Sequence, residues 1–156
     1  MNKLGVDPGL GGAIALLDSN LSLIEIMDMP IMLKTKKRKQ VNSAELAKIV
    51  CRWLTKYQPF IAYIEDVHAM PKQGTASVFS FGDSFGVLRG CFGALQIPVV
   101  FVTPQSWKKR AGLIGKPKDY ARTVAQQLYP NASLARKKDC GRAEAILIAR
   151  FSSGIK

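Results

Sequence analysis

The chain has one histidine, three cysteines and fewer than half as many acidic as basic side chains. Cys51, Cys91 and Cys140 are odd in number, widely spaced and free of any CxxC pair, which excludes a disulfide framework and a zinc site. That usage reads as a reducing, intracellular compartment and a cytoplasmic protein. The single histidine, His68, reads as an exposed loop residue rather than a metal ligand, with a helper role in proton transfer as its alternative. No apolar run approaches the ~20 residues of a membrane-spanning helix. The chain opens directly into strand-like sequence, so neither a signal nor a transit peptide is expected. No internal repeat or low-complexity segment breaks the pattern, and one domain over residues 1–156 is the reading.

What is present is charge of one sign. With 23 Lys and Arg against 11 Asp and Glu, the net charge is +12 and the pI about 9.9. Solubility requires far less from a domain of this size, so the balance points to a nucleic-acid partner.

Short β-rich runs at Leu4–Asp7, Ala13–Leu17 and Leu21–Met27 are broken by Pro8-Gly9, Gly11-Gly12 and Asp18-Ser19-Asn20, and predict an antiparallel meander. Residues 28–41, with Pro30 and the run Lys34 to Lys39, predict a loop or hairpin tip. Ser43 is placed as the cap of a helix over Ala44–Lys56, with Leu46, Ile49, Val50, Trp53 and Leu54 at helical spacing. Pro59 separates that helix from a strand, Phe60–Glu65. The loop Asp66–Gly74 leads to a long helix, Thr75–Leu95, whose Val78, Phe81, Phe85, Leu88, Phe92 and Leu95 form an apolar seam. Gly82, Gly86, Gly90 and Gly93 beside the seam suggest close approach to another backbone, since glycine costs about 1 kcal/mol in a helix interior. Val99–Val102 predicts a strand and Thr103-Pro104 a capped short helix. Helices follow at Asp119–Leu128 and Gly141–Phe151. Three antiparallel strands followed by helix-linked parallel ones describe an α/β mixed five-stranded sheet with helices on both faces, the strand order of the RNase H-like fold.

Four acids carry the chemistry. Asp7 ends the first strand, Glu65 ends the fourth, and Asp139 and Glu144 open the last helix. Asp7 before Pro-Gly is by itself a turn former, and Asp139 by itself a helix-N-terminal anion. Glu65 closing an apolar strand needs a partner or a metal, and Glu144 sits among Ala143, Ala145, Ile146 and Leu147. Together they read as catalytic residues that are also metal ligands. Mg²⁺ or Mn²⁺ accepts oxygen ligands, and two such ions about 4 Å apart can activate water and steady the leaving oxygen of a phosphodiester.

These residues resemble the RuvC family of Holliday junction resolvases, most closely its short phage, bacterial and organellar branch. The resemblance rests on Gly5-Val6-Asp7-Pro8-Gly9, Ile64-Glu65, Pro71-Lys72-Gln73-Gly74 with Phe81-Gly82-Asp83-Ser84-Phe85-Gly86, Thr103-Pro104-Gln105-Ser106-Trp107-Lys108, and Lys137-Lys138-Asp139-Cys140-Gly141-Arg142-Ala143-Glu144-Ala145. It spans nearly the whole chain in order. It implies a homodimeric, metal-dependent endonuclease nicking four-way junctions symmetrically, with Asp7, Glu65, Asp139 and Glu144 at the family's acidic positions. A branch-migration helicase is a further partner that the residues do not specify. Localisation would be nucleoid-associated, or host cytoplasm for a phage protein. One departure stands out: Cys140 occupies a place where relatives often carry His, and a thiol acts as a base only with a lowered pKa.

Lys36, Lys37, Arg38, Lys72, Gln73, Lys108, Lys109, Lys116, Lys118, Arg136, Lys137, Lys138 and Arg142 form the expected DNA-binding set. Gln73 can read a base edge and Trp107 can stack on a base or serve the core. An RNA–DNA hybrid nuclease shares the acid logic. The loop Asp7–Gly12 also suggests actin-like ATPases, which need a second lobe that 156 residues cannot supply. A non-catalytic DNA-binding module is the third alternative, against which all four acids argue.

Overall fold

A computed structural model describes residues 1–57, 60–68 and 72–155. Pro59, Met70 and Pro71, assigned above to a separator and a loop, lie outside the described residues. Strands β1 (Asn2–Asp7), β2 (Ala13–Leu17) and β3 (Leu23–Asp28) form the antiparallel meander. A separate hairpin, β4 (Ile31–Leu33) and β5 (Lys39–Val41), carries the basic run at its exposed tip. Helix α1 (Ser43–Tyr57) leads to β6 (Phe60–Glu65), which pairs parallel with β1, and β7 (Val99–Val102) pairs parallel with β6. The sheet order is therefore β3-β2-β1-β6-β7. The remaining helices are α2 (Thr75–Ala94), α3 (Pro104–Arg110), α4 (Tyr120–Leu128) and α5 (Cys140–Phe151). This is the expected mixed sheet.

Alternation along the strands splits the core in two. Leu4, Val6, Ile14, Leu16, Ala62 and Ile64 pack with α1 and α2. Ala13, Ala15, Leu17, Tyr63 and Val102 pack with α3, α4 and α5 on the other face. Helix α5 approaches β1 so closely that a Cβ on Gly5 would stand 2.0 Å from the Ala145 carbonyl oxygen. A side chain there would lift α5 off the sheet.

Local differences from the sequence reading have local causes. The third strand starts at Leu23 because Asp18 Oδ1 accepts from the Asn20 and Ser22 amides, each at 2.8 Å, and Leu21 takes a left-handed φ of 67° in that turn. Asn42, not Ser43, caps α1, its Oδ1 accepting from the Glu45 amide at 3.1 Å. Thr103 caps α3 as expected, through Oγ1 and the Ser106 amide at 3.3 Å. Along α2, Leu88 and Phe92 are buried, with Phe85 and Leu95 packed beside them. Gly82, Gly86, Gly90 and Gly93 face open space, so no backbone among the described residues explains them. No described helix is long and apolar enough to cross a membrane.

Candidate active site

Strand parity and register bring the acids together. Val6 lies opposite Ile64 in the parallel β1–β6 pair, so the next residues, Asp7 and Glu65, leave adjacent strand ends. Both share the parity of Gly5 and Tyr63, which face α5. Glu144 is one turn into α5, and all three acids line a cleft of about 910 Å³. Gly141 lets α5 start where it does, since a Cβ there would stand 2.3 Å from the Gly11 carbonyl oxygen. The Gly11-Gly12 turn and the helix start thus interlock at the cleft floor.

The acids are poorly compensated. Burial, then Glu144, then Glu65 push the Asp7 carboxyl from 3.8 up to about 7. Its nearest backbone donor, the Gly9 amide, is 3.5 Å away. Burial also raises Glu65, against the hydrogen bond it accepts at Oε1 from the Trp107 indole at 2.9 Å. Lys108 Nζ stands 3.9 Å from Glu144 Oε1 and 5.2 Å from the centre of the Trp107 ring. Among the described residues no three carboxylate, imidazole or thiol side chains are arranged to hold one ion. The donor set nonetheless fits a hard divalent cation: crowded carboxylate oxygens whose mutual repulsion a cation would relieve.

Asp139 is not in the cleft. It is buried at the end of a 3₁₀ turn, Lys137–Asp139, where Arg136 Nη2 donates to Oδ1 and the Arg136 amide to Oδ2, each at 2.8 Å. Arg136, then its backbone amide against the burial, holds this carboxyl below its usual range. In this structure the fourth expected ligand is bound by Arg136 within the turn that precedes α5. Asp119, unmarked in the sequence, lines the cleft instead, paired with Arg122 at 3.1 Å.

Cys140 also lines the cleft. Its Sγ lies 3.3 Å from Asp119 Oδ1 and 3.2 Å from the Lys137 carbonyl oxygen. Burial and the Asp119 bond raise the thiol above its ordinary value, so it stays protonated and is no base near neutral pH.

The basic residues divide into groups. Lys108, Lys116, Lys118, Lys137 and Lys138 line the cleft with the acids. Lys109 is exposed on α3, and Lys36, Lys37 and Arg38 are exposed on the β4–β5 tip. Lys72 is exposed at a left-handed φ of 69°. Gln73 and His68 line a small pocket that shares Val67 and Phe81 with the cleft, and His68 Nε2 is 3.5 Å from Asp66 Oδ2. Two arginines are paired with carboxylates of the chain, Arg142 largely covered and Arg136 half exposed. Arg142 forks onto Asp28 at 2.5 and 3.0 Å and reaches the Ser133 carbonyl, while Arg136 holds Asp139. Trp107 is fully buried, which removes the base-stacking reading. Nothing in the sequence marked its bond to Glu65, although its place next to Lys108 after a capped Thr-Pro start fixes the helix that carries it.

The chain is 32% identical over 95 residues to a chloroplastic Holliday junction resolvase of Chlamydomonas reinhardtii, covering 59% of this chain. It spans 11% of that protein's length. The structure superposes on RuvC of Thermus thermophilus in complex with a Holliday junction substrate with a TM-score of 0.68 and 17% identity, covering 97% of this chain and 94% of that one. A second Thermus thermophilus RuvC structure gives 0.64 and 14%, with the same coverage. No protein-family model matches the chain. The chain has the RNase H-like fold of RuvC, and its motifs resemble those of the Holliday junction resolvases.

Proposed function

We propose that this protein is a divalent-metal-dependent DNA endonuclease that resolves four-way junctions by paired, symmetric nicks. The observation that carries the reading is the cleft itself: Asp7, Glu65 and Glu144 converge from two strands and a helix inside a wall of five lysines. Repelling acids within a positive rim suit a site that takes a cation and a phosphodiester together. Asp7, Glu65 and Glu144 would hold Mg²⁺ or Mn²⁺, with two ions as the fuller form of the site. The metal, when bound, supplies activated water and stabilises the leaving oxygen. The chain's own residues do the rest. Lys116, Lys118, Lys137 and Lys138 attract the phosphate backbone, and Lys108 stands beside Glu144 in the same cleft. Lys36, Lys37 and Arg38 add positive charge on the exposed hairpin tip, and Gln73, next to exposed Lys72, lines the pocket that adjoins the cleft.

A four-way junction is nearly two-fold symmetric, so paired nicks call for two cleavage sites related by a dyad. A homodimer supplies them. Support comes from α2, whose outward glycines leave a shallow, small-residue face with Ala47, Val87, Gly90, Cys91, Ala94 and Leu95 around a groove shared with α1.

The deciding experiment is incubation with a synthetic immobile four-way junction in Mg²⁺ and in Ca²⁺, read on a denaturing gel beside a plain duplex and an RNA–DNA hybrid. Symmetric nicks on the junction in Mg²⁺, with binding alone in Ca²⁺, are expected. Preferential cutting of the hybrid would replace the substrate assignment, and binding without cutting in any divalent metal would leave a non-catalytic module.

A further inference from the structure

Helix α3 lines the cleft with Lys108 and bonds one of its acids through a second residue that neither lines it nor is open to solvent. Trp107 is fully buried on the α5 side of the sheet, and its indole N–H donates to Glu65 Oε1 at 2.9 Å. The contact joins residues 42 apart in sequence, so two separately positioned elements must agree for it to form. Both are stiffly held. Glu65 ends a strand paired on both sides. Helix α3 is capped by Thr103 at its start, and at its end Arg110 donates to the Phe151 and Ser153 carbonyls at 3.3 and 2.5 Å.

Burial alone does not demand this bond. Trp53 is equally buried on the opposite face, and its indole nitrogen has no hydrogen-bond partner among the described residues. The fold therefore tolerates an unpaired indole, yet pairs the one beside the acids. A carboxylate has two oxygens, and a rigid donor on one of them fixes the plane and direction of the other. Lys108, the next residue, reaches Glu144 at 3.9 Å, so the same short helix addresses two of the three cleft acids.

Building on the nuclease reading, we propose that Trp107 is a positioning residue: its indole N–H occupies Glu65 Oε1 and thereby aims the remaining oxygen at the divalent cation. Outer-shell partners of metal-binding carboxylates commonly change metal affinity by about 10–100-fold when removed. The inference predicts an effect of that size on metal binding, with the affinity for junction DNA in the absence of metal left unchanged.

The test measures Mn²⁺ binding to the DNA-free protein by electron paramagnetic resonance for wild type, Trp107→Phe and a variant carrying benzothienylalanine at position 107. The last keeps the ring shape and replaces the N–H by sulfur, so it preserves packing if phenylalanine does not. Both variants should bind Mn²⁺ about 10-fold or more weakly, while circular dichroism and junction binding in EDTA match wild type. In ¹⁵N spectra, Glu65→Gln should move the Trp107 indole resonance and leave that of Trp53 in place. Wild-type Mn²⁺ affinity in the benzothienylalanine protein would show that Trp107 serves packing alone and overturn the inference, even with the nuclease reading intact. Absence of Mn²⁺ binding in the wild type itself would overturn both.

Discussion

Replacing Asp7 by asparagine should make the metal-free protein more stable while abolishing its chemistry. In the folded chain Asp7 holds its proton to about pH 7, whereas the unfolded chain releases it near 3.8. Between those values the folded state binds more protons, so stability falls as pH rises through that window. Three units at about 1.4 kcal/mol each put the cost of the ionised carboxylate on the order of 4 kcal/mol at alkaline pH. Asp7 is partly open to the cleft and water can enter, which makes that figure a ceiling. Asp7→Asn has no such group to ionise. In EDTA at about pH 8 its melting temperature should exceed that of the wild type by several degrees, at roughly 2–4 °C per kcal/mol for a domain of this size. The difference should vanish below about pH 4, where both unfolded and folded carboxyls are protonated. Mg²⁺ should raise the wild-type melting temperature and have a much smaller effect on the variant. Cutting of a four-way junction should fall by orders of magnitude with little change in binding. Calorimetric scans across pH, with and without Mg²⁺, check each part. Equal or lower stability of Asp7→Asn at alkaline pH in EDTA, with equal Mg²⁺ stabilisation of both proteins, would refute a strained, cation-seeking cluster.

Cys140→Ala should cut junctions within about twofold of wild type, because a protonated thiol supplies no base; a large loss on a gel time course would assign the sulfur a role. Asp139→Ala should lose about 1–3 kcal/mol of stability in urea titration by freeing the Arg136 bonds. Cutting per folded molecule should change far less than for Glu144→Gln, and an equal loss would return Asp139 to the chemistry. Reversing charge at Lys36, Lys37 and Arg38 together should flatten the log–log dependence of junction affinity on salt, since each phosphate contact releases counterions; an unchanged slope takes the hairpin off the DNA. Gly86→Leu should shift sedimentation from dimer to monomer and turn paired nicks into uncoupled ones, and a wild-type monomer that still resolves both strands would remove the dimer.

Several features needed nothing beyond the order of residues. The alternation of Leu4, Val6, Ile14 and Leu16 and the glycine and proline breaks after Asp7 specify a meander, because period-two burial has few other solutions. The apolar, helix-linked runs at Phe60 and Val99 then continue the sheet in parallel. Asp7 and Glu65 were legible as neighbours for the same reason: strand ends that are adjacent in a sheet share a rim. The excess of lysine and arginine foretold a positive wall without showing which residues would build it.

Tertiary structure decided the residues that lie near one another only across the fold. Asp139 and Glu144 are five apart, and the sequence allows both to reach the cleft. A 3₁₀ turn and the Arg136 fork bury Asp139, while the helix behind it carries Glu144 inward. Arg142 reads as one more cation until Asp28, 114 residues away, is found against it. Trp107 reads as core or stacking surface, and only the approach of α3 to the end of β6 shows its bond to Glu65. The glycines of α2 reverse the usual lesson, for the close approach they suggest is absent among the described residues. Local pattern determines which face of an element is apolar and where it stops. Which charge meets which depends on contacts spanning tens of residues, and these exist only once the sheet and its two helical layers have packed.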